Sequence, residues 1–355
     1  MRNFKINNNK IGDQQKIYFI ADIAANHDGK LDRAIKLIDL AKESGADAAK
    51  FQHHDVKKYV SDYGFKNLGE KKSHQKKWKK SIFEIYKDAE VPKDWTSKLK
   101  EHCDKIEIDF MSTPYDLDAV DHLDDYVSAF KVGSGDVAWD AMLSKVASKK
   151  KPVFFATGAA TEEEVIRAHK IVSSKNKDFC IMQCNTNYTG SIENFKYINL
   201  NVLGTYKKLF PEAILGLSDH TPGHETVLGA VPFGIKAVEK HFTDDTSRDG
   251  PDHPFSMDPK SWKEMVFRTR FLEQAMGDGV KKIEINEEET SVLQRRAIRC
   301  IKDLTQGHII KREDIEFQRP CPKNAFTPNE ENLVIGKKTR KKFNKGQHIG
   351  KEDIA

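Results

Sequence analysis

Two histidines and a set of strand-end polar residues carry the chemistry that this chain can do. His220 closes the run Ile214-Leu215-Gly216-Leu217-Ser218-Asp219-His220, and His241 closes the next one, Lys236-Ala237-Val238-Glu239-Lys240-His241. Histidines at the carboxyl ends of consecutive parallel strands point into one space, and imidazole is the commonest protein ligand for a divalent metal. The alternative is two unrelated loop-start histidines, each satisfied by a hydrogen bond, and their spacing alone leaves both readings open. Other strand ends supply Asp22, Lys50, Thr113, Lys131 with Ser134 and Asp136, Tyr188, and Ser218. Lysines, hydroxyls and glycine turns are what a phosphate needs: point charges with close backbone N–H donors. Converging from the second and fourth strands, Lys50 and Lys131 suit a phosphate or a Schiff base; singly, each could be an ion-pair partner.

The elements that must position these residues are legible as apolar runs. Ile17–Ala25, Ala48–His53, Ile108–Pro114, Ala129–Gly135, Val153–Gly158, Phe179–Asn185, Ile214–His220 and Ala237–Phe242 read as strands. Helical patterns alternate with them. Leu31 to Ser44 places Ala34, Leu37, Ile38 and Ala41 on one face and stops at Gly45. Thr161 opens another helix, with Glu164 completing a capping box. Eight β–α units predict a (β/α)₈ TIM barrel, whose active site gathers at the carboxyl ends of the strands. A doubly wound open sheet is the competing architecture, but it needs a glycine-rich phosphate loop after the first strand, and Ala24-Ala25-Asn26-His27-Asp28-Gly29 is not one.

At 355 residues the chain exceeds the usual size of one hydrophobic core, so two domains are expected. The pattern breaks at the charged stretch 281–292, which divides a barrel domain (1–280) from a small β-rich domain (293–355). Within the latter, Leu304 to Ile315 nearly recurs as Phe343 to Ile354, which predicts two related halves packed face to face. A net charge of +5 is spread along the chain; the basic runs 70–80 and Lys337–Lys345 lack companion aromatic or glycine motifs, which argues against nucleic acid. No signal peptide is expected before the first strand, no apolar run reaches membrane-spanning length, and the five cysteines form no C-x-x-C pair. A reducing cytoplasm with buried thiols is the simplest expectation, with Cys180 and Cys184 lining one face of a strand.

The motifs ADIAANHDG, GADAAKFQ, STPYD, KVGSGD, ATGA, GLSDHT and EKHFTDDTSRDGPDH, followed by RRAIRCIKDLTQGHIIKREDIEFQRP and IGKKTRKKFNKGQHI, resemble the sialic acid synthase family in its own order. That family joins N-acetylneuraminate, legionaminate and pseudaminate synthases, with a C-terminal SAF domain similar to type III antifreeze proteins. The resemblance implies condensation of phosphoenolpyruvate with a mannosamine-type aldose, giving a nine-carbon 2-keto-3-deoxy acid and phosphate. It implies that His220 and His241 bind a divalent metal, Mn²⁺ foremost with Mg²⁺ or Co²⁺ as alternatives. It places phosphoenolpyruvate on Lys50, Thr113, Lys131, Ser134 and Ser218, and the sugar on Tyr188, Asp252 and Arg319. It further implies a domain-swapped homodimer in which Arg319 reaches a partner's active site.

Departures from the family pattern cluster on the sugar side. Asp22 and Asp136 stand where glutamates are usual, each carboxylate withdrawn by one C–C bond, about 1.5 Å; Ala156 replaces a serine, and Tyr188 is followed by Thr189 rather than proline. These changes suggest an acceptor other than N-acetylmannosamine, with neutral drift as the alternative. Two other functions compete with the synthase. A Schiff-base aldolase would use Lys131 as nucleophile, but has no need of paired histidines. A non-catalytic carbohydrate- or ice-binding protein would follow from the C-terminal resemblance alone.

Overall fold

The computed structural model describes residues 2–68, 75 and 78–355, so most of the basic run 70–80 lies outside the described residues. The chain opens with an antiparallel hairpin, β1 (Asn3–Ile6) and β2 (Asn9–Gly12). Eight parallel strands then close into a barrel: β3 (Tyr18–Asp22), β4 (Ala48–His53), β5 (Asp109–Pro114), β6 (Phe130–Val132), β7 (Val153–Ala156), β8 (Phe179–Cys184), β9 (Ile214–Asp219) and β10 (Ala237–His241). Around the ring they run in sequence order, with β10 pairing back onto β3. β4 spans the whole of its expected run and β5 reaches its expected end at Pro114, while the other six strands stop short at the mouth, where the chain turns away. Ala24–His27 and Ser134–Asp136 curl into 3-10 turns directly after β3 and β6.

Alternation along each strand separates two packed layers. Phe51, Phe110, Phe155, Ile181 and Val238 face the surrounding helices, while Ile20, Met111, Phe154, Met182 and Cys180 fill the lumen. The helix Leu31–Glu43 buries Ala34, Leu37, Ile38 and Ala41, and Gly45 ends that segment at φ +89°. Thr161 and Glu164 form the reciprocal capping box at the start of Glu162–Lys175. All five cysteines are buried free thiols, with Cys180 and Cys184 both in the lumen.

The hairpin is the element that periodicity did not reveal, because asparagines dominate residues 3–12. Phe4, Ile6 and Ile11 enter the lumen cluster, and the Phe4 ring meets Phe154 edge-on at 5.7 Å. Asn7, Asn9 and the Tyr18 hydroxyl all donate to the Asp109 carboxylate, at 2.6, 2.7 and 2.6 Å. A buried carboxylate so satisfied fixes the floor of the barrel and leaves its chemistry to the opposite end.

The chain divides into two units, Met1–Gly277 and Asp278–Ala355. In the second, the helix Glu288–Gln294 precedes two antiparallel strands, β11 (Ala297–Cys300) and β12 (Ile315–Gln318). The sequence repeat is a structural one. Leu304 and Phe343, offset by 343 − 304 = 39 residues, exchange both backbone hydrogen bonds at 2.9 Å. Gly307 bonds to Thr339 O and Gly346 bonds to Cys300 O, a swap of partners that keeps the same offset. Both glycines have φ above +80°, which the turn requires. Arg319 follows β12 and is exposed, with no side-chain partner among the described residues.

Candidate active site at the barrel mouth

Period-two alternation on β10 puts Glu239 and His241 into the lumen and turns Lys240 outward, where it pairs with Asp219 behind β9. Thr221 and Thr226 donate to the same Asp219 oxygen at 2.8 and 2.7 Å, so the wall carrying His220 and His241 is tied from outside.

Below the histidines lies one buried charged layer. Lys50 Nζ is 2.8 Å from Asp22 Oδ2 and 4.0 Å from Glu239 Oε2, and Lys131 Nζ is 3.1 Å from Glu239 Oε1. Lys50 also donates to Thr113 Oγ1 at 3.1 Å, Ser218 to Glu239 at 3.2 Å, and Gln52 to Asp22 at 3.1 Å. Five of the residues singled out from sequence therefore share one network, with Glu239 at its centre. Glu239 was not among the candidate site residues; its place two residues before His241 was the available signal.

The two carboxylates diverge electrostatically. Burial pushes Asp22 up and Glu239 adds to it, and Lys50 does not fully offset them. Burial would raise Glu239 too, but Lys131 and Lys50 outweigh it and hold this carboxyl below its usual range. Glu239 is thus the fixed anion and Asp22 the group poised to carry a proton. Lys50 loses to burial but gains more from Asp22 and Glu239, so its ammonium is favoured. Both lysines are engaged by carboxylates, Lys50 by Asp22 and Lys131 by Glu239, whereas a Schiff base needs an uncommitted amine.

The histidine rings lie 5.4 Å apart between centroids. His220 Nδ1 donates to Asn185 O at 3.2 Å, which leaves Nε2 as its lone-pair nitrogen. His241 Nδ1 is buried without a hydrogen-bond partner, 3.8 Å from Asp252 Oδ2, and Nε2 is 3.7 Å from Asp22 Oδ2. Burial, with His220 and the lysines nearby, drives the His241 ring well below the usual imidazole range, so it is neutral. An orphaned neutral imidazole beside a second one fits a divalent cation. No cluster of three His, Cys, Asp or Glu side chains forms a closed cage among the described residues, so positions would stay open, as catalysis requires.

Ser134 Oγ accepts the Gly158 N–H at 3.1 Å. A Cβ on Gly158 would fall 1.8 Å from Thr186 Oγ1 and 2.9 Å from Ser134 Oγ, so only glycine lets these strand ends meet. Asp136 is half-buried with an unpartnered Oδ2, and burial pushes it up to about 6. Tyr188 stacks edge-on against His220 at 4.6 Å, and Asp252 accepts the Ala25 N–H at 3.1 Å. The loop bearing Asp252 is fastened by Asp28, which pairs with Arg33, Arg248 and His253 at 3.0, 2.7 and 2.9 Å. Arg319 belongs to the second unit and is the one proposed site residue outside this barrel.

Residues 37–281 match the NeuB family and residues 295–355 match the SAF domain. The chain is 31% identical to N,N'-diacetyllegionaminic acid synthase of Campylobacter jejuni, over 94% of this chain and 99% of that protein. It is 30% identical to human N-acetylneuraminate-9-phosphate synthase, over 92% of this chain and 90% of that one. A crystal structure of N-acetylneuraminic acid synthetase from Leptospira borgpetersenii, in complex with citrate, superposes with a TM-score of 0.71 at 29% identity, covering 81% of this chain and 95% of that one.

Proposed function

Because this chain belongs to the NeuB family, we propose that it condenses phosphoenolpyruvate with an N-acylated mannosamine-type aldose, yielding a nine-carbon 2-keto-3-deoxy sugar acid and phosphate. The observation that carries this reading is the charged layer of Lys50, Lys131, Asp22 and Glu239 directly beneath His220 and His241. The relatives' names support the product class, and they differ in the sugar acid each one makes.

In this mechanism Lys50 and Lys131 hold the phosphate and carboxylate of phosphoenolpyruvate, with Thr113, Ser134 and Ser218 as hydroxyl partners. His220 and His241 would hold a divalent cation, Mn²⁺ foremost with Mg²⁺ or Co²⁺ as alternatives, which would supply Lewis-acid polarisation of the aldehyde oxygen. Tyr188 and Asp252 orient the aldose so that its aldehyde carbon faces C3 of phosphoenolpyruvate. A C–C bond forms there as the C2–C3 double bond of phosphoenolpyruvate opens, and the aldehyde oxygen takes the proton carried by Asp22. Positive charge at C2 is met by the fixed carboxylate of Glu239, and a water oxygen adds to C2. Asp22, now a carboxylate, takes one proton from that water; the bond between C2 and the phosphate oxygen then breaks, and the remaining C2 hydroxyl proton leaves with the phosphate to give the ketone. The same reading makes the molecule a homodimer in which Arg319 completes the partner's acceptor site.

Release of inorganic phosphate from phosphoenolpyruvate across a panel of aldoses, with mass spectrometry of the acid formed, tests the proposal. Condensation shows as an acid of combined carbon number. Borohydride trapping of pyruvate on Lys131, with no phosphate release, would replace it with the aldolase reading.

A further inference from the structure

Behind the charged layer, on the outer side of two of its strands, lies a second polar network. Alternation on β4 turns Lys50 and Gln52 into the lumen and Phe51 and His53 toward the helices. On β5 it turns Thr113 inward and Ser112 outward. The layer outside these strands is built from apolar side chains, among them Phe51, Phe110, Leu99 and Leu123. Into it the chain places His53, Ser112 and Thr96, at 3%, 0% and 0% exposure, with His122 half-buried at the edge.

The hydrogen bonds of this network run one way. Ser112 Oγ donates to the Phe51 carbonyl at 3.0 Å, so it accepts from His53 Nδ1 at 2.7 Å. Burial, with His122 and His54 nearby, drives the His53 ring down to about 3, so it is neutral. With its one hydrogen on Nδ1, the ring offers Nε2 as an acceptor, and Thr96 Oγ1 donates to it at 3.0 Å. Thr96 Oγ1 in turn accepts from His122 Nε2 at 2.9 Å. The chain of bonds thereby joins β4 and β5 to the helix Lys93–Lys105, which carries Thr96, and to the helix Leu117–Asp124, which carries His122.

Apolar side chains of similar volume would serve the stability of such a layer at least as well, whereas a fully satisfied polar network specifies one arrangement. What this network specifies is the ends of two strands. Gln52, next to His53 in sequence, donates to Asp22, and Thr113, next to Ser112, accepts from Lys50. The β4–β5 pair is thus bonded on both faces, by Lys50 to Thr113 in front and by His53 to Ser112 behind. Asp219 and Lys240 tie β9 and β10 from outside in the same manner.

We propose that His53 is a positioning residue for the reaction: with Ser112 and Thr96 it fixes where Lys50 and Thr113 stand in the barrel mouth, and so where phosphoenolpyruvate sits. This rests on the synthase reading for the identity of the substrate, while the clamp is defined by its own residues.

The test compares Thr96→Val, which keeps the side-chain volume and removes the hydroxyl, with Thr96→Ser, which keeps the hydroxyl. Neither change touches a lumen residue. In Thr96→Val, kcat/KM for phosphoenolpyruvate should fall about tenfold or more, since ~1 Å of misplacement can cost about a hundredfold. KM for phosphoenolpyruvate should rise more than KM for the aldose, and Thr96→Ser should stay near wild type. His53→Phe, with both ring nitrogens gone, should lose at least as much as Thr96→Val. Hydrogen exchange read by mass spectrometry needs no substrate. Peptides covering Ala48–His53 and Asp109–Pro114 should exchange faster in Thr96→Val and not in Thr96→Ser, while Ile214–Asp219 and Ala237–His241 are unchanged. A lower melting temperature with kcat/KM intact, equal behaviour of the valine and serine variants, or faster exchange across the whole barrel overturns the proposal. If the wild type neither binds phosphoenolpyruvate by calorimetry nor releases phosphate, the synthase reading fails, and local exchange at the two strand ends alone decides the clamp.

Discussion

Lys131 on β6 and Glu239 on β10 stand on diametrically opposite strands of the ring and meet at 3.1 Å across the lumen. Both side chains are almost fully buried, at 3% and 7% exposure. Removing one partner strands the other charge in the interior, at a cost of about 3–5 kcal/mol. Glu239→Gln should lower the melting temperature by several degrees and abolish phosphate release. The double variant Glu239→Gln, Lys131→Met should recover much of the stability by calorimetry without recovering turnover. If the double variant is no more stable than Glu239→Gln alone, the pair does not hold the barrel in this way.

Asp136 supplies a pH signature. Burial raises it to about 6, so it is neutral below that pH and a carboxylate above it. Its folded value exceeds the ordinary unfolded one of about 3.9, so the penalty for the buried charge accrues as pH climbs from about 4 through 6. Wild-type stability should decline over that window more than the stability of Asp136→Asn does. Should the carboxylate be the form that binds the acceptor, kcat/KM rises through pH ~6 and Asp136→Asn flattens that limb. An identical limb in the variant would assign the titration to another group.

The barrel was legible because each strand is a short run rich in apolar residues on both faces, its polar residues gathering toward the carboxyl end, and such runs mark strands buried on both faces. Strand ends were less so: Ser134 and Gly135, and Ala24 and Ala25, belong to extended-looking runs yet turn away at the mouth in the 3-10 turns Ser134–Asp136 and Ala24–His27. Lys50, Thr113, Lys131 and Ser218 could be placed together at the barrel mouth from their strand-end positions, and only the family resemblance supplied a ligand for them. Glu239 could not, because its role depends on Lys131, 108 residues earlier (239 − 131) and across the lumen. The aromatic cluster of His54, Tyr59, Tyr86 and Tyr115 was still less legible. Its members come from the segment after β4, the helix Ile82–Asp88 and the residue following β5, and no local pattern links them.

For the histidine pair, metal binding itself is the primary readout. Titration of metal-free protein with Mn²⁺ should show one site per chain, lost in His241→Ala and in His220→Ala. Burial would lower His220, but the Cys184 thiol and Asp219 beside it raise the ring above its usual value. Protons therefore begin to compete with the metal at a higher pH than for an ordinary imidazole, and affinity should weaken on acidification from neutral pH. Chelation should stop phosphate release, and added Mn²⁺, Co²⁺ or Mg²⁺ should restore it. Full activity in a chelated, metal-free preparation would exclude the metal role.

Asp22 tests the departure from the family pattern. Its carboxylate receives Lys50 at 2.8 Å and Gln52 at 3.1 Å, and lies 3.7 Å from His241. Asp22→Glu advances the group by about 1.5 Å into that junction. If the shorter side chain tunes the acceptor pocket, relative kcat/KM among aldoses should shift by about 1–3 kcal/mol in discrimination. A uniform loss across all aldoses would instead mark Asp22 as a general proton carrier, and no change would mark drift.

Arg319 tests assembly. It follows β12 and precedes Pro320, so the backbone on its C-terminal side has little freedom, and its guanidinium can present several donors to one sugar oxygen or acyl group. Arg319→Ala and His241→Ala should each be inactive alone. Mixed under conditions that permit subunit exchange, a heterodimer in which Arg319 acts in trans has one site with both lesions and one with neither. Random assortment into dimers then restores up to about a quarter of wild-type activity. If Arg319 serves its own chain, every site keeps one lesion and nothing returns. Demonstrated exchange, for instance by mass spectrometry of differently tagged subunits, without recovered phosphate release would rule out the swapped arrangement and leave Arg319 to its own barrel or to none.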